Sequence, residues 1–177
     1  GILKRAIDSF ATEVRAGLPH LPASGCIDIL LRRPPRTHSK QCLPRTGNDI
    51  SDLTAAALDL DRSYLAVHGP PGCGKTYAAA RVIARLVNDH GWRVGVVAQS
   101  HSVVENLLDK AVAAGVNPQR VGKRPKNIGA QWARAWQPLK NKDYPDFIAE
   151  DGGCVIGGTA WDFANPGRVL PESLDLL

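Results

Sequence analysis

Gly69-Pro70-Pro71-Gly72-Cys73-Gly74-Lys75-Thr76 fits the pattern G-x-x-x-x-G-K-[ST], the P-loop. Each fixed position has a physical reason. Glycine permits backbone angles and close approaches that a side chain forbids. Successive backbone N–H groups can then form a concave nest for phosphate. Lys75 is placed to reach the β/γ-phosphates of a nucleotide and the Thr76 hydroxyl to bind Mg²⁺, which makes this pair the expected catalytic residues. The whole run from Gly69 through Pro70, Pro71, Gly72, Cys73 and Gly74 to Lys75 and Thr76 is the expected nucleotide-binding segment.

The flanks suit the motif. Tyr64-Leu65-Ala66-Val67-His68 is a short apolar run that predicts a buried strand. Lys75 to Asn88 carries Tyr77, Ala80, Val82, Ile83, Leu86 and Val87 at roughly helical spacing, which predicts an amphipathic helix. That helix would present its N-terminal N–H groups to the phosphates.

Further along, Arg93 to Ala98 predicts a second buried strand, and with the first it forms a βαβ unit with parallel strands. Gln99-Ser100-His101-Ser102 follows it, then a predicted helix to about Ala114 closed by Gly115. Ser100 or Ser102 is the expected cap, and Glu105 stands three residues after Ser102 as in a capping box. Cys154-Val155-Ile156-Gly157 predicts a third strand, with Gly158-Thr159-Ala160-Trp161 as its following loop. Ligands of an open α/β sheet bind at the carboxyl ends of strands, so Ser100, His101 and Thr159 fall on the functional edge. Leu174 to Leu177 begins a fourth predicted strand.

Pro118 to Lys142 interrupts this alternation in the reading from sequence. It holds Arg120, Lys123, Arg124, Lys126, Arg134, Lys140 and Lys142 and no acidic residue, with Trp132 and Trp136 four apart. Cations interleaved with aromatic rings suit single-stranded nucleic acid. The rings could equally pack the core of a small insertion. Lys123, Arg124 and Lys126 are the expected phosphate contacts, and all the charges are expected to face solvent.

N-terminal to the P-loop, Ile2 to Ala16 predicts a helix, Cys26 to Leu31 a short strand, and Arg32-Arg33-Pro34-Pro35-Arg36 an exposed extended segment. Asn48 to Leu60 predicts a helix capped by Asp49 or Ser51. Residues 1–48 carry eight Lys/Arg against three Asp/Glu and read as a linker or the remnant of an upstream domain.

The chain has 177 residues, net charge +5 and 44% hydrophobic residues. This excludes a membrane span, since no apolar run approaches about 20 residues. It favours a polyanionic partner. Cys26, Cys42, Cys73 and Cys154 form no C-x-x-C pair, which suits reduced thiols in a cytoplasmic protein. Cys73, beside Lys75, reads either as an activated thiol or as an inert small residue. The lack of methionine and the start at Gly1 suggest a piece of a longer protein.

Three segments together resemble superfamily 1 helicases of the Upf-like, 5′→3′ branch. They are Gly69–Thr76, Ala98–Leu108 (Ala-Gln-Ser-His-Ser-Val-Val-Glu-Asn-Leu-Leu) and Val155–Ala160 (Val-Ile-Gly-Gly-Thr-Ala), in the order of motifs I, Ia and Ic. The chain is also similar to proteins that fuse a RecB-like nuclease to such a helicase. The resemblance implies an α/β, RecA-like P-loop NTPase with a parallel sheet flanked by helices, incomplete at its C-terminus. Residues 49–177 would be a partial motor domain with a basic insertion at about 118–150. It further implies ATP and Mg²⁺ as cofactors and single-stranded DNA or RNA as partner. Ser100, His101 and Asn106 of motif Ia, and Gly158 and Thr159 of motif Ic, would contact the strand. The family's Walker B Asp-Glu follows motif Ic. Asp175 is not followed by Glu and is not assigned to it. Two other readings stay open: a P-loop kinase or other NTPase without a nucleic-acid role, and a non-catalytic nucleotide- or strand-binding fragment.

Overall fold

The computed structural model describes residues 1–125 and 133–177. Lys126 and Trp132 lie outside the described residues. Two compact units divide the chain, essentially Leu3–Lys75 and Thr76–Leu177.

The second unit is built on a sheet of four parallel strands in the order β1-β4-β2-β3. These are β1 Arg93–Val97, β2 Val121–Lys123, β3 Gln137–Pro138 and β4 Cys154–Gly158. β1 lies on β4 with Arg93 opposite Cys154 and Val97 opposite Gly158. Every residue of β4 is buried, as a parallel strand covered on both faces requires. Leu176 adds a single parallel bridge to Val94, and Leu174–Leu177, where a strand was expected, forms no ladder beyond it among the described residues.

Helix α4, Lys75–His90, buries Ala80, Val82, Ile83, Leu86 and Val87 of the face its spacing predicts, with Ala84, but leaves Tyr77 exposed, and it stops before Gly91 at φ +68°. Helix α5, His101–Ala113, buries Val104, Leu108 and Ala111. A Cβ on Gly157 would stand 2.6 Å from Val104 Cγ1 and 2.8 Å from Leu108 Cδ1, so a glycine in β4 is what lets α5 lie on the sheet. Beyond β2, Tyr144 and Ile148 of α6, Tyr144–Ala149, join Leu139, Ile156 and Val169 in one apolar cluster.

In the first unit, α1 covers Ile2–Gly17 and buries none of its side chains. Helix α2, Gly25–Leu30, stands where a strand was expected. Short apolar runs do not distinguish the two states by period, and Ser24 decides by accepting the Ile27 N–H at 3.3 Å as an N-cap. α2 carries Asp28 into the interior, where it pairs with Arg36 and accepts the Ser63 hydroxyl at 2.8 Å. Arg36 also donates to Asp61 O and Arg62 O at 3.1 and 2.9 Å, so this arginine of the basic segment is a tie and not a free surface charge. Helix α3, Asp49–Leu58, is capped by Asn48, whose side chain accepts the Ser51 N–H, in place of Asp49 or Ser51.

Two further expectations change. Tyr64–His68 forms no ladder with any described strand, and Val67 is half exposed. β-forming side chains set a preference, but a strand exists only where a neighbour takes its N–H and C=O groups. Pro118–Lys142 also does not interrupt the sheet: β2 and β3 lie within it, and β2 pairs directly with β4.

Buried Cys154 opens β4. Burial pushes its thiol from the ordinary 9.0 up to about 11. The protonated form is therefore favoured in the fold, and stability on this account falls as pH rises from about 9 to about 11. Iodoacetamide on the native chain at pH 8 should label exposed Cys26, Cys42 and Cys73 and spare Cys154. Peptide mass spectrometry reads this directly, and equal labelling of Cys154 and Cys26 would contradict its burial.

Candidate nucleotide and strand sites

The P-loop closes on itself through Lys75. Its Nζ donates to Gly69 O at 2.5 Å and Pro70 O at 2.8 Å, and lies 3.6 Å from Cys73 Sγ. All three ammonium protons thus have an acceptor within the loop. Gly72 and Gly74 sit at φ +81° and +86°, angles that an L side chain strains to adopt. A Cβ on Gly69 would fall 2.6 Å from Cys73 Sγ, so that glycine admits the close return of the loop. Residues Pro71 to Thr76 are exposed, and α4 begins at Lys75. The loop therefore offers glycine-dependent turns, an ammonium and a helix start in one short run. These residues fit a nucleotide's phosphates, with the carbonyls on Lys75 as the acceptors that phosphate oxygens would replace. Among the described residues no group of three or more His, Cys, Asp or Glu could hold a metal. Thr76 is the side chain in the loop suited to share one with phosphate.

In the second unit the ends of β1 and β4 are neighbours through the pairing of Val97 with Gly158. That register brings the start of α5 and the Thr159 turn to one edge of the sheet. Ser100 is the N-cap of α5: its Oγ accepts the Val103 N–H at 3.4 Å and lies 3.1 Å from Ser102 Oγ. His101 begins the helix half-buried, its Nδ1 enclosed without a hydrogen-bond partner. Asn106 is exposed on α5.

Gly158 is buried, and Thr159 starts a short helix, α7, Ala160–Phe163. The Thr159 N–H and hydroxyl both donate to Asp162 Oδ2, at 2.7 and 2.8 Å, and Arg168 pairs with Asp162 Oδ1. Asp162 and Arg168, which hold the Thr159 turn, carried no expectation from the sequence. The spacing T-x-x-D was the available signal, since an acid three residues after a cap is a capping box.

Glu105 does not complete a capping box with Ser102. Its Oε1 accepts from Lys123 Nζ at 2.9 Å and its Oε2 from Arg134 Nη2 at 3.1 Å. Arg134 also pairs with Asp109, which accepts the Trp136 indole N–H at 2.8 Å. Lys123 is only 1% exposed and gives a further hydrogen bond to Arg124 O. For Lys123 this corrects the expectation that the charges of the basic stretch face solvent, and it removes that residue from the surface offered to a strand. Trp136 is fully buried and lies on no helix, so packing accounts for that ring. Arg120 is likewise held, by Glu150 and by the carbonyls of Gly153 and Gly152. Arg124 is half-buried, and Lys140 and Lys142 are exposed. Three described cations of the basic stretch, Lys123, Arg134 and Arg120, are thus paired with acids, Glu105, Asp109 and Glu150, that come from elsewhere in the chain, and of these only Lys123 is buried.

Parallel strands, flanking helices and a glycine loop opening α4 are consistent with a RecA-like P-loop architecture. Comparison with known proteins agrees. The chain is 33% identical over 105 residues to the Regulator of nonsense transcripts 1 homolog of Drosophila melanogaster, covering 59% of this chain and 9% of that protein. It is 33% identical over 106 residues to DNA-binding protein SMUBP-2 of Mus musculus, covering 57% of this chain and 11% of that one. DNA polymerase alpha-associated DNA helicase A of Schizosaccharomyces pombe is 36% identical over 56 residues, 32% of this chain and 8% of its own.

These homologues are superfamily 1 helicases. The chain spans about a tenth of the length of the helicases it matches. No family model and no solved structure matches. No helix among the described residues is long and apolar enough to cross a membrane.

Proposed function

We propose that this chain is part of the first motor domain of an ATP-driven helicase or translocase acting on single-stranded DNA or RNA. The observation that carries the reading is a glycine loop bent onto its own lysine, joined in one chain to a β1–β4 edge bearing Ser100, His101 and Thr159. Similarity to proteins named as a helicase and as DNA-binding supports it.

In this reading Gly69, Pro70, Pro71, Gly72, Cys73 and Gly74 cradle the phosphates of ATP. Lys75 exchanges two neutral carbonyls for anionic oxygens, and the Thr76 hydroxyl ligates Mg²⁺. Bound ATP and Mg²⁺ would supply a phosphoryl group activated for hydrolysis. Ser100, His101 and Asn106 offer the strand backbone neutral donors, while Gly158, buried in β4, and Thr159, bonded to Asp162, shape the turn at that edge. Arg124, with Lys126, adds cationic contacts.

Binding of nucleotide and strand is expected to be linked, each changing the affinity of the other by the same factor. Fluorescence anisotropy of a labelled oligothymidylate and an oligouridylate, with and without a saturating non-hydrolysable ATP analogue and Mg²⁺, tests this. Strand binding that shifts several-fold with nucleotide supports the motor reading. Nucleotide binding without any strand binding would point to an NTPase with no nucleic-acid role.

A further inference from the structure

We propose that Trp161 is a stacking platform for one base of the single strand, an inference that rests on the strand-binding reading above. Trp161 is 61% exposed. An exposed indole leaves a large apolar face in water, and tryptophan at such a place commonly serves recognition. Its setting is rigid. α7 is tied at its start by Thr159 and Asp162, and Asp162 is clamped by Arg168. At the other end Phe163 packs against the core cluster of Tyr144, Ile148 and Ile156. Asp162 and Phe163 thus take the inward positions of this short helix, and Trp161 takes an outward one.

The location narrows the ligand. Trp161 stands three residues beyond Gly158, which pairs with Val97 at the end of β1. Val97 and Val103 on that neighbouring end are themselves 44% and 58% exposed. Ser100, Ser102 and Asn106 are exposed there too. Asp162 and Arg168 neutralise each other, so the edge presents an aromatic face, branched aliphatics and neutral donors. The exposed residues named here carry no charge that would select an acidic or a basic peptide. A nucleobase finds a ring to stack on, while its sugar and phosphate meet hydroxyls and an amide. Base–aromatic stacking is tolerant of sequence because every base has a π-face, so Trp161 would contribute affinity without base preference.

The test uses the intact chain and an oligothymidylate of about 12 nucleotides, within the usual span of such sites. A single abasic nucleotide is moved through every position of the strand. The parent should lose about 10-fold in affinity at one position or two adjacent ones, within the range for a lost stacking contact. Trp161→Ala should lose about the same on the complete strand and show no added loss with the abasic site at that position. Trp161→Phe should keep most of the affinity. The slope of log affinity against log salt should be unchanged in both variants, since no phosphate contact is removed. Unaltered binding by Trp161→Ala, where the parent binds, would overturn the stacking role and leave the strand-binding reading intact. A loss that adds to every abasic position, or that changes the salt slope, would show an indirect effect and also overturn it. Failure of the parent to bind any strand would overturn both.

Discussion

Replacing Lys75 with alanine is expected to lower affinity for Mg·ATP about 10- to 100-fold and to leave the fold unchanged. Charge-assisted hydrogen bonds of an ammonium to phosphate are each worth about 1.5–3 kcal/mol, which corresponds to that loss. In the structure Nζ already engages Gly69 O and Pro70 O, so its reach onto the loop is established by geometry. Because Lys75 is exposed, its removal leaves no buried group unpaired. Stability should therefore move by no more than about 0.5 kcal/mol. Lys75→Arg should rescue little, because a planar guanidinium fork does not replace a compact ammonium in so tight a turn. Isothermal titration of parent and variants, with urea unfolding in parallel, separates binding from folding. Equal affinities in folded protein would end the assignment of this loop to phosphate.

Glu105→Ala has the largest expected effect on stability. Lys123 is almost wholly buried in β2, and Glu105 is the carboxylate on its ammonium. Without it Lys123 keeps, among the described residues, the Arg124 carbonyl, and Arg134 loses one of its two acids. Breaking a buried pair from one side costs about 3–5 kcal/mol, because a charge is left uncompensated in the interior. Replacing both partners with apolar residues of similar size is often neutral. Glu105→Leu/Lys123→Met should accordingly be more stable than Glu105→Ala alone. Urea unfolding of the parent, the single variants and the double variant measures this. A cost below about 1 kcal/mol for Glu105→Ala would mean that Lys123 finds another partner or reaches water.

Local rules carried the elements whose determinants are contiguous. α4 buries all of the face its periodicity marks except Tyr77, Ser100 caps α5, and Arg93–Val97 and Cys154–Gly158 are strands because apolar runs suit a sheet buried on both sides. Where neighbours compete, sequence was less informative. Cys26 to Leu31 is apolar enough for a strand, and one serine hydroxyl turned it into a helix. Tyr64–His68 has the composition of a strand without a described neighbour to pair with.

By itself, then, the sequence determined the glycine turns of Gly69–Thr76, the helix they open and the two strand ends that face the same edge. Glycine angles, capping and periodicity all act within a few residues. Only the tertiary structure decided which charges are free. Seven cations without an intervening acid read as a surface, yet Glu105, Asp109 and Glu150 draw Lys123, Arg134 and Arg120 into ion pairs from 18, 25 and 30 residues away. Tertiary structure also left Trp161 bare and buried Trp136. Whether a charge or a ring meets water depends on which distant side chains fold against it, and no local pattern encodes that.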